Sequence, residues 1–314
     1  MDGFEVKFCR MAAAAVLCGG ASACFFDLAF FLLWRVAFMN RLTYLFCSLV
    51  LLGMVALVSS PSSAQTPVVH YTFEGDATDL AGGDNNGVLN GGVATSAPNL
   101  SKVDGGSQSL LLEGTDDYVS ITDGVDIVPG GSTFTLATWI NLTGNANQDV
   151  IYFSNPSGGA AARLIMQIRA ASGLGNQNYN ITVGGRTQQA DGFSRYTATP
   201  QLAPGTTYHV AATIDTSLGG ANAVQLYVDG EPVGHTLTSG AGFTQNPFDA
   251  TTGFSATVGA NGAPGDFVVG RMDDVRIYTE VLDARQIRSL AVPEPATIAL
   301  VALGGIAAFV RRRR

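Results

Sequence analysis

Short stretches in which every second residue is apolar recur along this chain, and that period of two restricts its fold more than any other feature. In Asp117-Tyr118-Val119-Ser120-Ile121, Val119 and Ile121 share one face. Between Phe134 and Ile140, the residues Phe134, Leu136 and Ile140 share a face while Trp139 points the other way. Tyr208, Val210, Ala212 and Ile214 form a third inward set, and Val224, Leu226 and Val228 a fourth. Asp229-Gly230 then supplies a two-residue hairpin turn. From Asp273 to Tyr278, Val275 and Ile277 alternate with Asp274, Arg276 and Tyr278, which gives Asp273 the inward parity. Gly, Ser, Thr, Asn and Asp clusters separate these stretches. One-sided alternation over many short strands is what antiparallel sheets packed face to face require, so the expected fold is an all-β two-sheet sandwich. One helix is predicted over Leu282 to Leu290: Asp283 and Gln286 make a capping box, with Leu282 and Ile287 at the staple positions. It would pack the end of the domain onto the sandwich.

Charge and cysteine usage narrow the chemistry. Residues 65–290 hold nine Lys and Arg against 21 Asp and Glu, with Lys102 the only lysine, while the whole chain carries −8. So acidic a surface argues against nucleic acid, which needs basic patches, and suits solubility and divalent cations. Cys9, Cys18, Cys24 and Cys47 all precede residue 65, so the rest has no disulfide, catalytic thiol or zinc–thiolate site. A domain of that length can be stable through its own core.

The ordered series His70-Tyr71-Thr72-Phe73-Glu74-Gly75, Gly114 to Val119, Phe134 to Ile140, Tyr208 to Ala211, Leu226 to Gly230 and Met272 to Tyr278 resembles the laminin G-like, concanavalin A-like jelly-roll family over 68–290. The resemblance implies a two-sheet jelly roll with a concave face. It fixes no activity, since lectin-like, adhesive and enzymatic members share the scaffold.

Both ends read as addresses. Val292-Pro293-Glu294-Pro295 precedes an uncharged run from Ala296 to Val310, and Arg311, Arg312, Arg313 and Arg314 follow. As a helix that run is about 22 Å long, short of a hydrocarbon core of roughly 30 Å. Its apolar residues supply about −2 to −4 kcal/mol of insertion energy, a marginal transmembrane anchor whose arginines stay cytoplasmic. The tail resembles the PEP-CTERM sorting signal of exported bacterial proteins, which implies an exosortase that recognises it and cuts near the motif. A permanent anchor or a buried helix is the alternative. At the other end, Met39-Asn40-Arg41, the apolar run Leu45 to Val58 and Ser62-Ser63-Ala64 before Gln65 have the parts of an export signal for signal peptidase. Residues 1–38 read as a start-site error, with an N-terminal hydrophobic hairpin as the alternative. The expected division is leader 1–64 (signal peptide 39–64), jelly-roll domain 65–290 and sorting tail 291–314.

Catalytic patterns are sparse. Glu74, Asp76 and Asp79 superficially resemble a glycosidase cluster, but a retaining pair stands about 5 to 5.5 Å apart on rigid supports, and here the strand runs out into a Gly-rich loop. His70, His209 and His235 lie in separate segments, and neither His-Glu-x-x-His nor Gly-x-Ser-x-Gly occurs. A structural calcium is the sharper candidate. The loop Asp79 to Gly87, with Asp84, offers oxygens, and an inward Asp273 on the last strand could meet it. The alternative is that Asp79 and Asp84 are solvated turn residues and Asp273 holds backbone amides. Tyr152, Tyr179, Phe193 and Tyr196, in the polar stretch 141–200, are candidates for a sugar platform, with core packing as the alternative; Trp139 reads as packing. The leading expectation is a non-catalytic surface or matrix protein that binds glycan or another matrix component, linked through its tail to exopolysaccharide and biofilm. A polysaccharide-active enzyme and a structural protein without a ligand are the other two readings.

Overall fold

A computed structural model describes residues 65–121, 127, 132–143, 146–154, 163–171, 178–186, 192–243, 255–262 and 265–293. The leader, and the tail from Glu294 through Arg314, lie outside them. Among the described residues no helix is long and apolar enough to cross a membrane.

The strands form two antiparallel eight-stranded sheets. The first holds β1 (Val69–Tyr71), β3 (Ala94–Ser96), β4 (Ser109–Glu113), β6 (Thr133–Leu142), β11 (Tyr208–Asp215), β12 (Val224–Val228), β13 (Glu231–Val233) and β16 (Val269–Tyr278). Its order is β13-β12-β11-β6-β16-β4-β3, with β1 also paired to β16. The second holds β2 (Val88–Asn90), β5 (Tyr118–Ile121), β7 (Gln148–Ser154), β8 (Arg163–Ala170), β9 (Tyr179–Arg186), β10 (Ser194–Ala198), β14 (His235–Ser239) and β15 (Ser255–Val258). Its order is β14-β10-β9-β8-β7-β15-β5-β2.

The core takes the residues that alternation assigns to it. Phe134, Leu136 and Ile140 of β6 and Val210, Ala212 and Ile214 of β11 join Leu164, Met166 and Ile168 of β8 and Ile181 and Val183 of β9 in one buried cluster. The β12–β13 hairpin turns at Asp229 (φ 51°) and Gly230 (φ 82°), the left-handed pair of a type I′ turn. Helix α1 (Ala284–Ala291) carries the complete capping box. Its Ile287 and Leu290, with Leu282, pack on Ala137, Ala211, Tyr227 and Tyr278, a second apolar cluster on the outer face of the first sheet.

One parity assignment is corrected. The β6–β16 register shifts between Asp273 and Arg276, and Asp274 has φ 48°. The bulge turns Asp273 away from the inter-sheet core and pairs it with Trp139, while Met272 and Val275 on either side both enter the core. One extra residue in a strand flips every later side chain, and a period of two cannot register it.

A cationic cleft on the outer face of the second sheet

Along β8, Leu164, Met166 and Ile168 face the core, so Arg163, Ile165, Gln167 and Arg169 face outward. Pairing extends this outer face across neighbouring strands. Tyr152 of β7 stands opposite Ile165, Ile165 opposite Gly184 of β9, and Gly184 opposite Arg195 of β10. The row above runs from Asp149 through Gln167 to Thr182 and Thr197. Asp149 reaches this face because the β7–β8 register shifts between Asp149 and Ile151.

Gly184 is required here. A Cβ on it would stand 2.6 Å from Cε1 and Cζ of Phe193, whose ring occupies the empty position. The Arg163 and Arg195 guanidinium carbons lie 4.8 and 5.0 Å from the centre of that ring, within cation–π range. Tyr152, Phe193, the arginines and the Asp149–Gln167 pair, with Asn261 and Asp266 at the rim, enclose an open cleft of about 220 Å³.

Polar contacts order its floor. Arg169 Nη1 donates to Gln167 Oε1 (3.2 Å), and Gln167 Nε2 donates to Asp149 Oδ1 (2.7 Å). Burial, followed by the negative charge of Asp266, pushes the Asp149 carboxyl up to about 7 against the pull of Gln167, Arg163 and Arg169. Burial, then repulsion by Arg169 and Arg163, holds Arg195 below the usual arginine range. Arg186, cross-strand from Arg163, is lowered by burial and by that neighbour. The Nε atoms of Arg163 and Arg186 are buried without a hydrogen-bond partner. Among the described residues, no carboxylate lies within ion-pair distance of Arg163, Arg169, Arg186 or Arg195.

The aromatic candidates divide. Tyr152 and Phe193 line the cleft. Tyr179 and Tyr196 are corrected to core positions: both are fully buried, because Tyr179 shares the inward parity of Ile181 and Val183, and Tyr196 that of Ala198. Neither offers a ring to a ligand. Trp139 is buried on the outer face of the first sheet, against His209, with Lys102 Nζ 5.1 Å above its ring.

The acidic candidates are not brought together. Asp79 Oδ1 accepts from the His70 and Ala81 amides, each at 2.9 Å, while Asp84 is exposed. Asp273 Oδ2 accepts from the Leu100 and Ser101 amides (2.9 and 3.1 Å) and Oδ1 from the Asp274 amide (2.8 Å), the amide-holding alternative. Those three N–H groups leave Asp273 little capacity for a cation. Among the described residues, no group of three or more His, Cys, Asp or Glu could hold a metal ion. His70 joins Arg276 on the buried Asp274, His209 packs under Trp139, and His235 meets the Ala221 carbonyl, so the histidines stay apart.

Asp149, Gln167, Asp266 and the four arginines were not among the residues singled out from sequence. Their signal is present: the alternation of Arg163, Gln167 and Arg169 with Leu164, Met166 and Ile168, and four of the nine basic residues of 65–290 falling between 163 and 195.

Among solved structures, domain 4 of AbnA, an extracellular GH43 arabinanase from Geobacillus stearothermophilus, in complex with arabinotriose, is similar at 18% identity and TM-score 0.50. The match covers 73% of this chain and all (100%) of that one. The Ruminococcus gnavus IT-sialidase CBM40 bound to alpha2,3 sialyllactose is similar at 16% identity and TM-score 0.40, over 52% of this chain and 85% of that one. No curated protein matches the sequence. Residues 291–314 match the PEP-CTERM protein-sorting motif, which marks an exported, surface-associated protein. Residues 113–288 match the concanavalin A-like lectin/glucanases superfamily, and with the two-sheet sandwich around them the chain belongs to that superfamily.

Proposed function

We propose that the protein is a non-catalytic polysaccharide-binding protein of the cell surface or extracellular matrix, and that its ligand lies along the cleft on the outer face of the second sheet. The observation that carries this reading is the row Tyr152, Ile165, Gly184, Arg195, an aromatic-to-cation strip across four adjacent strands beside an open polar cleft. Exposed aromatic and hydrogen-bonding groups in a preformed concavity are what a carbohydrate site needs. The arabinanase domain with the same fold was solved with a sugar, which supports the reading without locating the site. In affinity electrophoresis through gels containing different polysaccharides, at least one should retard the protein, and Tyr152→Ala should abolish the retardation. Retardation that survives Tyr152→Ala would remove the cleft from the account.

The tail reading extends this. An exosortase cuts close to Pro293-Glu294-Pro295 after brief anchoring in the membrane, and signal peptidase cuts before Gln65. Mass spectrometry of the secreted protein should find neither Arg314 nor residues before Gln65; recovery of the intact tail would refute the processing.

A second reading, hydrolysis, draws on one observation: Asp149, a carboxyl that stays protonated close to neutral pH, lies beside the charge of Asp266. Release of reducing ends from a bound polysaccharide, lost in Asp149→Asn, would establish it in place of simple binding.

A further inference from the structure

Basic residues are scarce in this domain and unevenly placed. Arg163, Arg169, Arg186 and Arg195, four of the nine in 65–290, lie on one face of β8, β9 and β10. Among the described residues none of the four has a carboxylate partner, although acids outnumber bases more than twofold over that span. Among the described residues Arg276 pairs with Asp274 and Arg288 with Glu231, while Lys102, Arg271 and Arg285 stand apart from one another and from this cluster in sequence. Asp149 and Asp266 share the cleft with Arg163, Arg169 and Arg195, but among the described residues neither comes within ion-pair distance of them, and the arginines repel one another. Arginine presents a planar fork that fits carboxylate and sulfate oxygens in pairs. Phe193, seated over Gly184, holds two of these forks beside the cleft.

We infer that the ligand is an acidic polysaccharide, with a carboxylate or sulfate of one sugar seated among Arg163, Arg169 and Arg195 and the chain continuing along the row toward Tyr152. The inference rests on the reading of this face as a glycan site and names the ligand's class. An isolated oxyanion would not need the row: four adjacent strands span about 14 Å at 4.7–4.9 Å per gap. The domain's overall negative charge would repel a polyanion at long range, so recognition must come from this local patch and weaken with added salt.

The test uses the full chain and four polymers: polygalacturonate, the same polymer with its carboxyls reduced to alcohols, dextran sulfate and neutral dextran. The expected result is binding to polygalacturonate or dextran sulfate, whichever carries the matching oxyanion, with no measurable binding to the uncharged counterparts. Arg195→Gln and Arg163→Gln should each weaken binding about tenfold at unchanged melting temperature, the equivalent of about 1.4 kcal/mol. Arg285→Gln, the same charge change on the exposed surface of α1, should leave binding within about twofold. Arg195→Lys keeps the charge without the fork and should fall between wild type and Arg195→Gln. Absence of binding to both polyanions overturns the inference. Equal affinity for polygalacturonate and its reduced form, lost in Tyr152→Ala, also overturns it while leaving the glycan site standing. Binding that Tyr152→Ala leaves intact removes the site itself.

Discussion

Replacing Asp149 by Asn is expected to stabilise the protein at neutral and alkaline pH and to change little in acid. Asp149 is only 2% exposed, and burial, then the Asp266 charge, raises its carboxyl from the ordinary 3.8 to about 7. Between those values the unfolded chain has released the proton and the folded one has kept it, so stability falls as pH rises through the window. At 1.36 kcal/mol per unit, the native state is weakened by about 4 kcal/mol above pH 7. Asn carries no charge and keeps an acceptor for Gln167 Nε2, now 2.7 Å from Asp149 Oδ1. The gain of Asp149→Asn over wild type should therefore be near zero at pH 4, grow up to pH 7 and level off above it. For a domain of this size each kcal/mol moves the melting temperature by about 2–4 °C, so the plateau is on the order of 10 °C. Thermal melts followed by circular dichroism from pH 4 to 9 read the difference directly. Asp273, also raised to about 7 by burial, is common to both proteins and cancels. A difference that does not vary with pH, or a variant less stable than wild type at pH 8, would refute the assignment of a buried, destabilising carboxylate to the cleft floor.

Gly184→Ala puts a Cβ 2.6 Å from the Phe193 ring and 3.0 Å from the Ser194 carbonyl oxygen, so it should cost about 1–3 kcal/mol in urea unfolding and reduce polysaccharide retention. Unchanged values for both would show that the ring does not organise the arginines. Asp283→Ala removes the acceptor for the Arg285 and Gln286 amides and should lower stability by about 1 kcal/mol; no change would mean that water caps α1 equally well. Asp79 Oδ2 is buried without a hydrogen-bond partner, so melting temperatures in excess calcium and in chelator test whether the loop Asp79 to Gly87 holds an ion; equal values would leave Asp79 a turn residue. Saturating calcium at about 100 times its Kd would add about 2.7 kcal/mol, so a rise of several degrees would show that the 79–87 loop closes on an ion.

The sandwich was legible because its signal is repetitive. Each inward set of β6, β11 and β12 is an independent vote for the same parity, and each is found in the core. The hairpin at Asp229-Gly230 and the capping box at Asp283 were legible for another reason: both depend on residues within three positions of each other. The cleft depends on neither kind of signal. Tyr152, Ile165, Gly184 and Arg195 meet through pairing of four strands, and single-sequence alternation carries no information about which strands are neighbours. Composition marked the segment 141–200 as polar and rich in Gly and Asn, and the aromatics within it include Tyr152 and Phe193. It could not separate them from Tyr179 and Tyr196, whose parity buries them.

Two of the places where strand register shifts carry unusual acids. Two of the three register shifts among the described strands, at Asp149/Ile151 against β8 and at Asp273/Arg276 against β6, place an aspartate that is buried and raised to about 7; the third, at Arg195/Tyr196 against β14, does not. A bulge interrupts the ladder and re-aims a side chain, so it can put a carboxyl where regular pleating would not. The two outcomes differ in what the oxygens do. Asp273 gives them to the amides of Leu100, Ser101 and Asp274, and so ties the segment before β4 to β16. Asp149 accepts from the Gln167 side-chain amide and otherwise faces a cleft rimmed by arginines, and among the described residues no backbone amide donates to its carboxyl. Burial raises both carboxyls alike, so what separates them is geometry: the oxygens of Asp273 are taken by backbone amides, whereas Asp149 lines an open cleft.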